Sequence, residues 1–125
     1  MKITPVMVVE EVEPALAFWV DRIGFTNVAE VPEGDRIGFV MLVKDETELM
    51  LQSVGSVRKD IADFAPQGKP EGTVLYIEVP DLDAVKGQLG GYPLAMEERT
   101  TFYGMREIGV RAPGGHLVLF AHKAP

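Results

Sequence analysis

The sequence predicts an α+β chain made of two tandem β-α-β-β-β modules whose mixed sheets are cupped. Two observations carry this. The first is the stretch Phe102–Phe120, FYGMREIGVRAPGGHLVLF, in which two strand-like runs flank Ala112-Pro113-Gly114-Gly115. Pro113 fixes its own φ and the two glycines reach positive φ freely, so these four residues read as a tight hairpin turn. The second is that the pattern of the first half starts again in the second, with an offset of about seventy residues. Val9-Glu10-Glu11-Val12-Glu13 falls on Val79-Pro80-Asp81-Leu82-Asp83, strand exit into helix entry, and Leu49-Met50-Leu51 falls on Val118-Leu119-Phe120. One half alone would leave the second face of its sheet bare, whereas two halves curving around a cleft would enclose apolar space.

Taken in order, residues 3–9 form a β-branched, apolar run expected as a strand. Pro14 suits the first turn of a helix over 14–22, with Leu16, Trp19, Val20 and Ile23 on its apolar face and Gly24 as its stop. Strands are expected at 25–31, 36–43 and 48–53, separated by turns at 32–35 and 45–47. The stretch 54–72 is rich in glycine, proline and charge and reads as a connecting loop, with a helical turn around 60–64. A strand at 73–79 follows, then a helix over 81–89 capped by Asp81 and stopped by Gly90-Gly91. Strands at about 92–98, 106–111 and 116–121 complete the count; Pro93 weakens the first of these. The chain is thus expected as one domain of two modules, about 1–55 and 72–123, joined by the loop at 54–72.

Composition narrows the function classes. At 125 residues, 46% of them hydrophobic, the chain can bury a real core. It has no cysteine, which excludes disulfides, thiolate metal sites and a cysteine nucleophile, and fits a reducing cytoplasm. A net charge of −7 argues against nucleic acid and anionic membranes as partners. The N-terminal apolar run is too short for a secretory signal, and no run approaches the ~18 residues of a membrane span. A soluble cytoplasmic protein is expected.

Strand alternation nominates the candidate ligand-binding residues. Glu48, Met50 and Gln52 share one face of their strand; Gln52 is the better pocket group, and Glu48 is expected solvated at the strand mouth. Tyr76 shares a face with Val74 and Glu78 and offers both a stacking surface and a hydroxyl. Phe102 and Tyr103 are candidates for a stacking rim, with Phe64 in the long loop. Arg106 and Glu107 point to opposite faces: Arg106 inward would favour an anionic ligand, Glu107 inward a cationic one, and parity leaves the choice open. Met7, Met41, Met50 and Met105 could form an adaptable apolar wall. Trp19 reads as core. His116 and His122, the two histidines, lie opposite Leu119 on the last strand and read as surface or edge residues. No phosphate loop or nucleophile elbow occurs and catalytic residues stay unassigned; a metal-free acid/base catalyst would use Glu48, Tyr76 or Glu107.

Residues 5–25, PVMVVEEVEPALAFWVDRIGF, and the hairpin stretch 102–120 resemble the paired modules of the vicinal oxygen chelate superfamily, which holds glyoxalase I, extradiol dioxygenases, and fosfomycin- and bleomycin-resistance proteins. The resemblance covers nearly the whole chain and implies a cup for each pair of modules, often completed across a homodimer. In metal-dependent members the ligands sit on the first and last strand of each module, positions that fall here at about Thr4, Met50, Val74 and Leu119. These are not divalent-metal donors apart from a weak Thr4 hydroxyl, so no metal and no cofactor is expected. The chain is closest in character to the metal-free bleomycin-resistance-like members. The resemblance therefore implies a homodimeric, metal-independent small-molecule binder that sequesters a drug-like ligand, cationic or aromatic, as in antibiotic resistance. The alternatives are a lyase, isomerase or dioxygenase with a non-standard or metal-free site, and a degenerate member that binds proteins.

Overall fold

The computed structural model describes residues 2–60 and 73–125. The chain falls into two compact units, Met1–Pro70 and Glu71–Pro125, each with its own sheet. In the first, β1 (Val6–Val9) is followed by α1 (Val12–Leu16), then β2 (Thr26–Glu33), β3 (Arg36–Lys44), β4 (Thr47–Ser53) and α2 (Val54–Asp60). In the second, β5 (Val74–Glu78) is followed by α3 (Leu82–Leu89), β6 (Met96–Thr100), β7 (Met105–Ala112) and β8 (His116–Lys123). The sheets have the orders β1-β4-β3-β2 and β5-β8-β7-β6, so the internal repeat is one topology used twice. In each, the first strand runs parallel to the last and the remaining pairs are antiparallel, giving two mixed four-stranded sheets.

The helix after β1 begins two residues before the expected Pro14 and continues past Leu16 as a π-type segment over Ala17–Arg22. Its wider spacing is visible where the Ile23 N–H donates to the Phe18 carbonyl at 3.0 Å. Trp19 is fully buried there, edge-on to Phe18 and Phe25 with centroids 5.0 and 5.5 Å away. It is core, as its place on the apolar face requires. Against this helix β1, β3 and β4 bury Met7, Val9, Val40, Leu42, Leu49 and Leu51.

The second unit repeats the plan with a shorter helix. Asp81 caps α3 by accepting from the Ala84 N–H at 3.2 Å, and Leu82, Val85 and Leu89 lie buried. Ile108, Val110, Val118 and Phe120 supply the sheet side of this core. The turn between β7 and β8 closes as expected, with the Gly115 N–H donating to the Ala112 carbonyl at 3.0 Å and Gly114 and Gly115 at φ +91° and +81°.

Three expectations are corrected. Val54–Asp60 is helical where a loop was expected, its first turn tied by the Ser56 N–H to the Ser53 hydroxyl at 3.1 Å; the rest of that stretch, with Phe64 and most of the expected helical turn, lies outside the described residues. The sixth strand starts at Met96 rather than near Tyr92, because Pro93 removes a donor from the segment before it. His116 is not a surface residue: it is 3% exposed. The face opposite Leu119 is the one packed toward α3, so alternation put both histidines on the correct side of a strand whose hidden side was misread.

Candidate functional site

Because each helix covers one face of its sheet, the other face of each unit carries the candidate residues. In the first unit the cross-strand pairs Met41↔Met50 and Phe39↔Gln52 put these four side chains together on that open face, with Val6, Val8 and Val31 beside them. Met50 is half-buried and Gln52 nearly buried. The Gln52 amide donates to the Ser56 hydroxyl at 3.1 Å, so α2 orients it. A cleft of about 430 Å³ opens there, lined by Val31, Phe39, Gln52 and Ser56 and bounded by the Lys59–Glu33 ion pair at 2.6 Å. Glu48 shares this face but sits at its far end, 28% exposed and paired with Lys2 at 2.6 Å, which is the solvated position expected of it. Met7 does not join the methionine wall; its odd position turns it into the core, 2% exposed.

In the second unit the open face is built around a charge. Glu107 pairs with Ala121 across the strands and so shares a face with Gly109, Leu119 and Tyr76, while Arg106, next to it, pairs with His122 on the helix side. Glu107 is fully buried. Its Oε1 accepts from Arg99 Nε at 2.9 Å and its Oε2 from the Tyr103 hydroxyl at 3.5 Å, and its charge also acts on the Tyr76 phenol. Partial burial and this carboxylate together push the Tyr76 phenol above its ordinary pKa, so near neutral pH it is a donor and not a base. Arg106 is thereby removed from the ligand-facing set. It reaches Asp83 on α3 at 3.1 Å and Glu98 on β6 at 3.0 Å, and its guanidinium holds both carboxyls below their usual range, with Lys86 the first contributor at Glu98.

Phe102 and Tyr103 form the tip between β6 and β7. The tip is clamped: the Gly104 N–H donates to the Thr101 carbonyl at 3.0 Å, the Met105 N–H to the Thr101 hydroxyl at 3.0 Å, and the Ala124 N–H to the Gly104 carbonyl at 2.7 Å. Gly104, at φ +87°, makes that turn possible. The two rings meet edge to face with centroids 5.0 Å apart, Phe102 wholly exposed and Tyr103 58% exposed. Tyr76 at 45% and Val74 at 56% extend the exposed apolar surface along β5. Arg99 is the functional candidate that sequence reasoning missed, since the expected strand stopped one residue short of it.

A family model described as the Glyoxalase/Bleomycin resistance protein/Dioxygenase superfamily matches residues 3–120. The chain belongs to this superfamily. Solved structures of the same fold include a lactoylglutathione lyase from Agrobacterium tumefaciens, with TM-score 0.76, 17% identity and 98% of this chain and 92% of that chain covered. Another is a glyoxalase/bleomycin resistance protein/dioxygenase from Nocardioides, with TM-score 0.78 at 16% identity, covering 99% and 84% of the two chains. The bleomycin-binding protein from Streptomyces verticillus, solved with copper(II)-bleomycin, shares 27% identity over 100% of this chain and 96% of that one, with TM-score 0.62. No match was found among curated proteins.

The metal that dependent members of the superfamily carry does not fit the residues here. Met50 pairs with Val6, two residues after Thr4, and Leu119 pairs with Tyr76, two after Val74, so the repeat keeps the geometry of both position pairs. Their side chains offer one hydroxyl, one thioether and two hydrocarbons, which is not a donor set for a divalent first-row ion. Among the described residues no three of His, Cys, Asp or Glu gather at any other point. Nor is any described helix long and apolar enough to cross a membrane.

Proposed function

We propose that this superfamily member binds a small aromatic or drug-like molecule and acts by sequestration, without a metal. The observation that carries the reading is the open face of the second unit, where Phe102, Tyr103, Tyr76 and Val74 are all large, apolar and exposed around one buried carboxylate. Contiguous exposed apolar surface with a few fixed polar groups is the usual make-up of a ligand site. Met41, Met50, Phe39 and Gln52 give the first unit a second surface of the same kind, and their thioethers adapt to irregular shapes. Glu48, Gln52, Met50, Tyr76, Phe102 and Tyr103 are the proposed contacts; Glu107, fully buried, supports them from beneath, and Arg106 serves structure. In each unit the sheet face away from its own helix is left uncovered by that helix, which also supports a homodimer, since pairing of copies is a common way to cover such faces. The cytoplasm, with its reducing milieu, is the proposed location for a chain with no cysteine. A role in antibiotic resistance comes by analogy with the bleomycin-binding protein of Streptomyces verticillus.

The deciding experiment combines metal analysis of freshly purified protein with thermal shift against divalent metals and against basic and aromatic antibiotics. Sequestration predicts substoichiometric metal, no rise in Tm with metals, and a saturable rise with at least one antibiotic. About one metal per chain with a metal-dependent rise in Tm would transfer the reading to a lyase, isomerase or dioxygenase.

A further inference from the structure

We infer that the second unit's open face recognises an oxyanion, a carboxylate or phosphate borne on a planar apolar body, and that Arg99 is the residue that grips it. The inference rests on the small-molecule reading above and goes beyond it by assigning the charge of the ligand and a residue to hold it.

Glu107 is inward, which by itself would favour a cation, but no ligand can reach it. It is fully buried under Arg99, Tyr103 and Tyr76. The charge that a ligand meets is the guanidinium of Arg99, whose side chain is 56% exposed. Glu107 engages this guanidinium at Nε alone, and among the described residues its two Nη groups make no hydrogen bond. A carboxylate fixed beneath Nε sets the plane of the guanidinium and leaves the Nη groups outward, the part of arginine that forks onto carboxylates and phosphates. A buried acid is thus the support of the cation rather than the ligand's own partner.

The surroundings agree in charge and in shape. Lys123 is exposed and pairs with Met105 on the same face, adding a second cation toward the rim. Tyr103 shares Glu107 with Arg99 and meets Phe102 edge to face on a turn whose backbone is clamped, an apolar wall for the body of the ligand. Glu78 is the opposing charge: it is exposed on this face across Ala121 from Glu107, and it confines the oxyanion to the β6 side.

The test is titration of isotope-labelled protein, followed by amide chemical shifts, with benzoate, phenyl phosphate, benzyl alcohol and benzylamine as probes. Benzoate or phenyl phosphate should saturate shifts of amides between Met96 and Gly109 at least tenfold more tightly than benzyl alcohol does; which of the two binds better identifies the oxyanion. Arg99→Gln should reduce both to the affinity of benzyl alcohol, Arg99→Lys should retain part of the gain, and Glu78→Gln should tighten both. Since Arg99→Gln strands the Glu107 carboxylate, the paired variant Arg99→Gln with Glu107→Gln provides the same readout in a neutral site. If benzyl alcohol binds at these amides as tightly as benzoate, or benzylamine binds best, the oxyanion assignment fails and the binding reading stands. If no probe saturates, and no antibiotic raised Tm, both fail.

Discussion

The backbone N–H of Leu82 donates to Nδ1 of His122 at 3.1 Å, so the final strand satisfies one of the orphan donors at the start of α3. Asp81, the capping residue just before the helix, satisfies another. The helix is therefore tied at its first turn to the strand against which it packs. His122→Leu keeps the volume and removes the acceptor, leaving the Leu82 donor half-buried and unpaired. A loss of about 1–2 kcal/mol in urea unfolding is expected, with Asn at position 122 recovering part of it. An unchanged midpoint for the Leu variant would mean that water replaces the imidazole at no cost.

Arg106 contributes to the acid limb of stability. Asp83 and Glu98 both titrate below the usual carboxylate range in the folded chain, the first because of Arg106, the second because of Lys86 and then Arg106. Groups with depressed folded pKa values contribute stability that is whole above their unfolded values, about pH 4, and that fades as pH falls through the folded ones. Tm should therefore hold from pH 7 to about 5 and fall below about 4. Arg106→Gln should lower Tm near neutrality and flatten the fall, because the two carboxyls then titrate nearer their unfolded values. A variant whose acid limb overlays the parent's would show that these exposed pairs are screened to nothing.

Tyr76 provides a spectroscopic check on the buried carboxylate. Its phenol should ionise above the ordinary value, about 10, since burial and then Glu107 both disfavour the phenolate. Phenolate absorbance during alkaline titration should contain one late component that disappears in Tyr76→Phe. In Glu107→Gln the same component should move back toward the ordinary value. A late component that survives Tyr76→Phe would belong to another tyrosine and would dissociate Tyr76 from Glu107.

The sequence revealed the architecture better than the site, for reasons visible at single residues. Alternation in β4 and β8 placed Met50 and Leu119 at equivalent points of two modules, and the sheets have the same order. Alternation also put Arg106 and Glu107 on opposite faces, but it defines faces only relative to one another. Which of the two looks outward depends on where α3 packs, a long-range fact carried by Asp83 and Glu98. His116 was misread for the same reason. Arg99 escaped because Pro93 and the irregular pairing between Met96 and Arg99 blur the bounds of β6. Its partner Glu107 lies eight residues away, and no local pattern joins a charged edge strand to a buried acid.

Two glycines separate packing from propensity, and the same substitution should have opposite signs at them. A methyl group on Gly38 would stand 2.8 Å from Cβ of Glu33 and 3.1 Å from Cβ of Ser56, atoms close to the backbone that cannot swing aside. Gly38→Ala must therefore push α2 away from the sheet, at a cost of about 1–3 kcal/mol, and should displace the Gln52 amide from the Ser56 hydroxyl at the edge of the first unit's cleft. Gly87 lies in α3 with nothing within 4 Å of the position of an added methyl. There Gly87→Ala removes only chain entropy from the unfolded state and should stabilise by about 0.5–1 kcal/mol. Urea midpoints of the two variants, measured side by side, check both. If both shifted the same way, the close approach of α2 to β3 at Gly38 would not be what fixes the floor of the cleft.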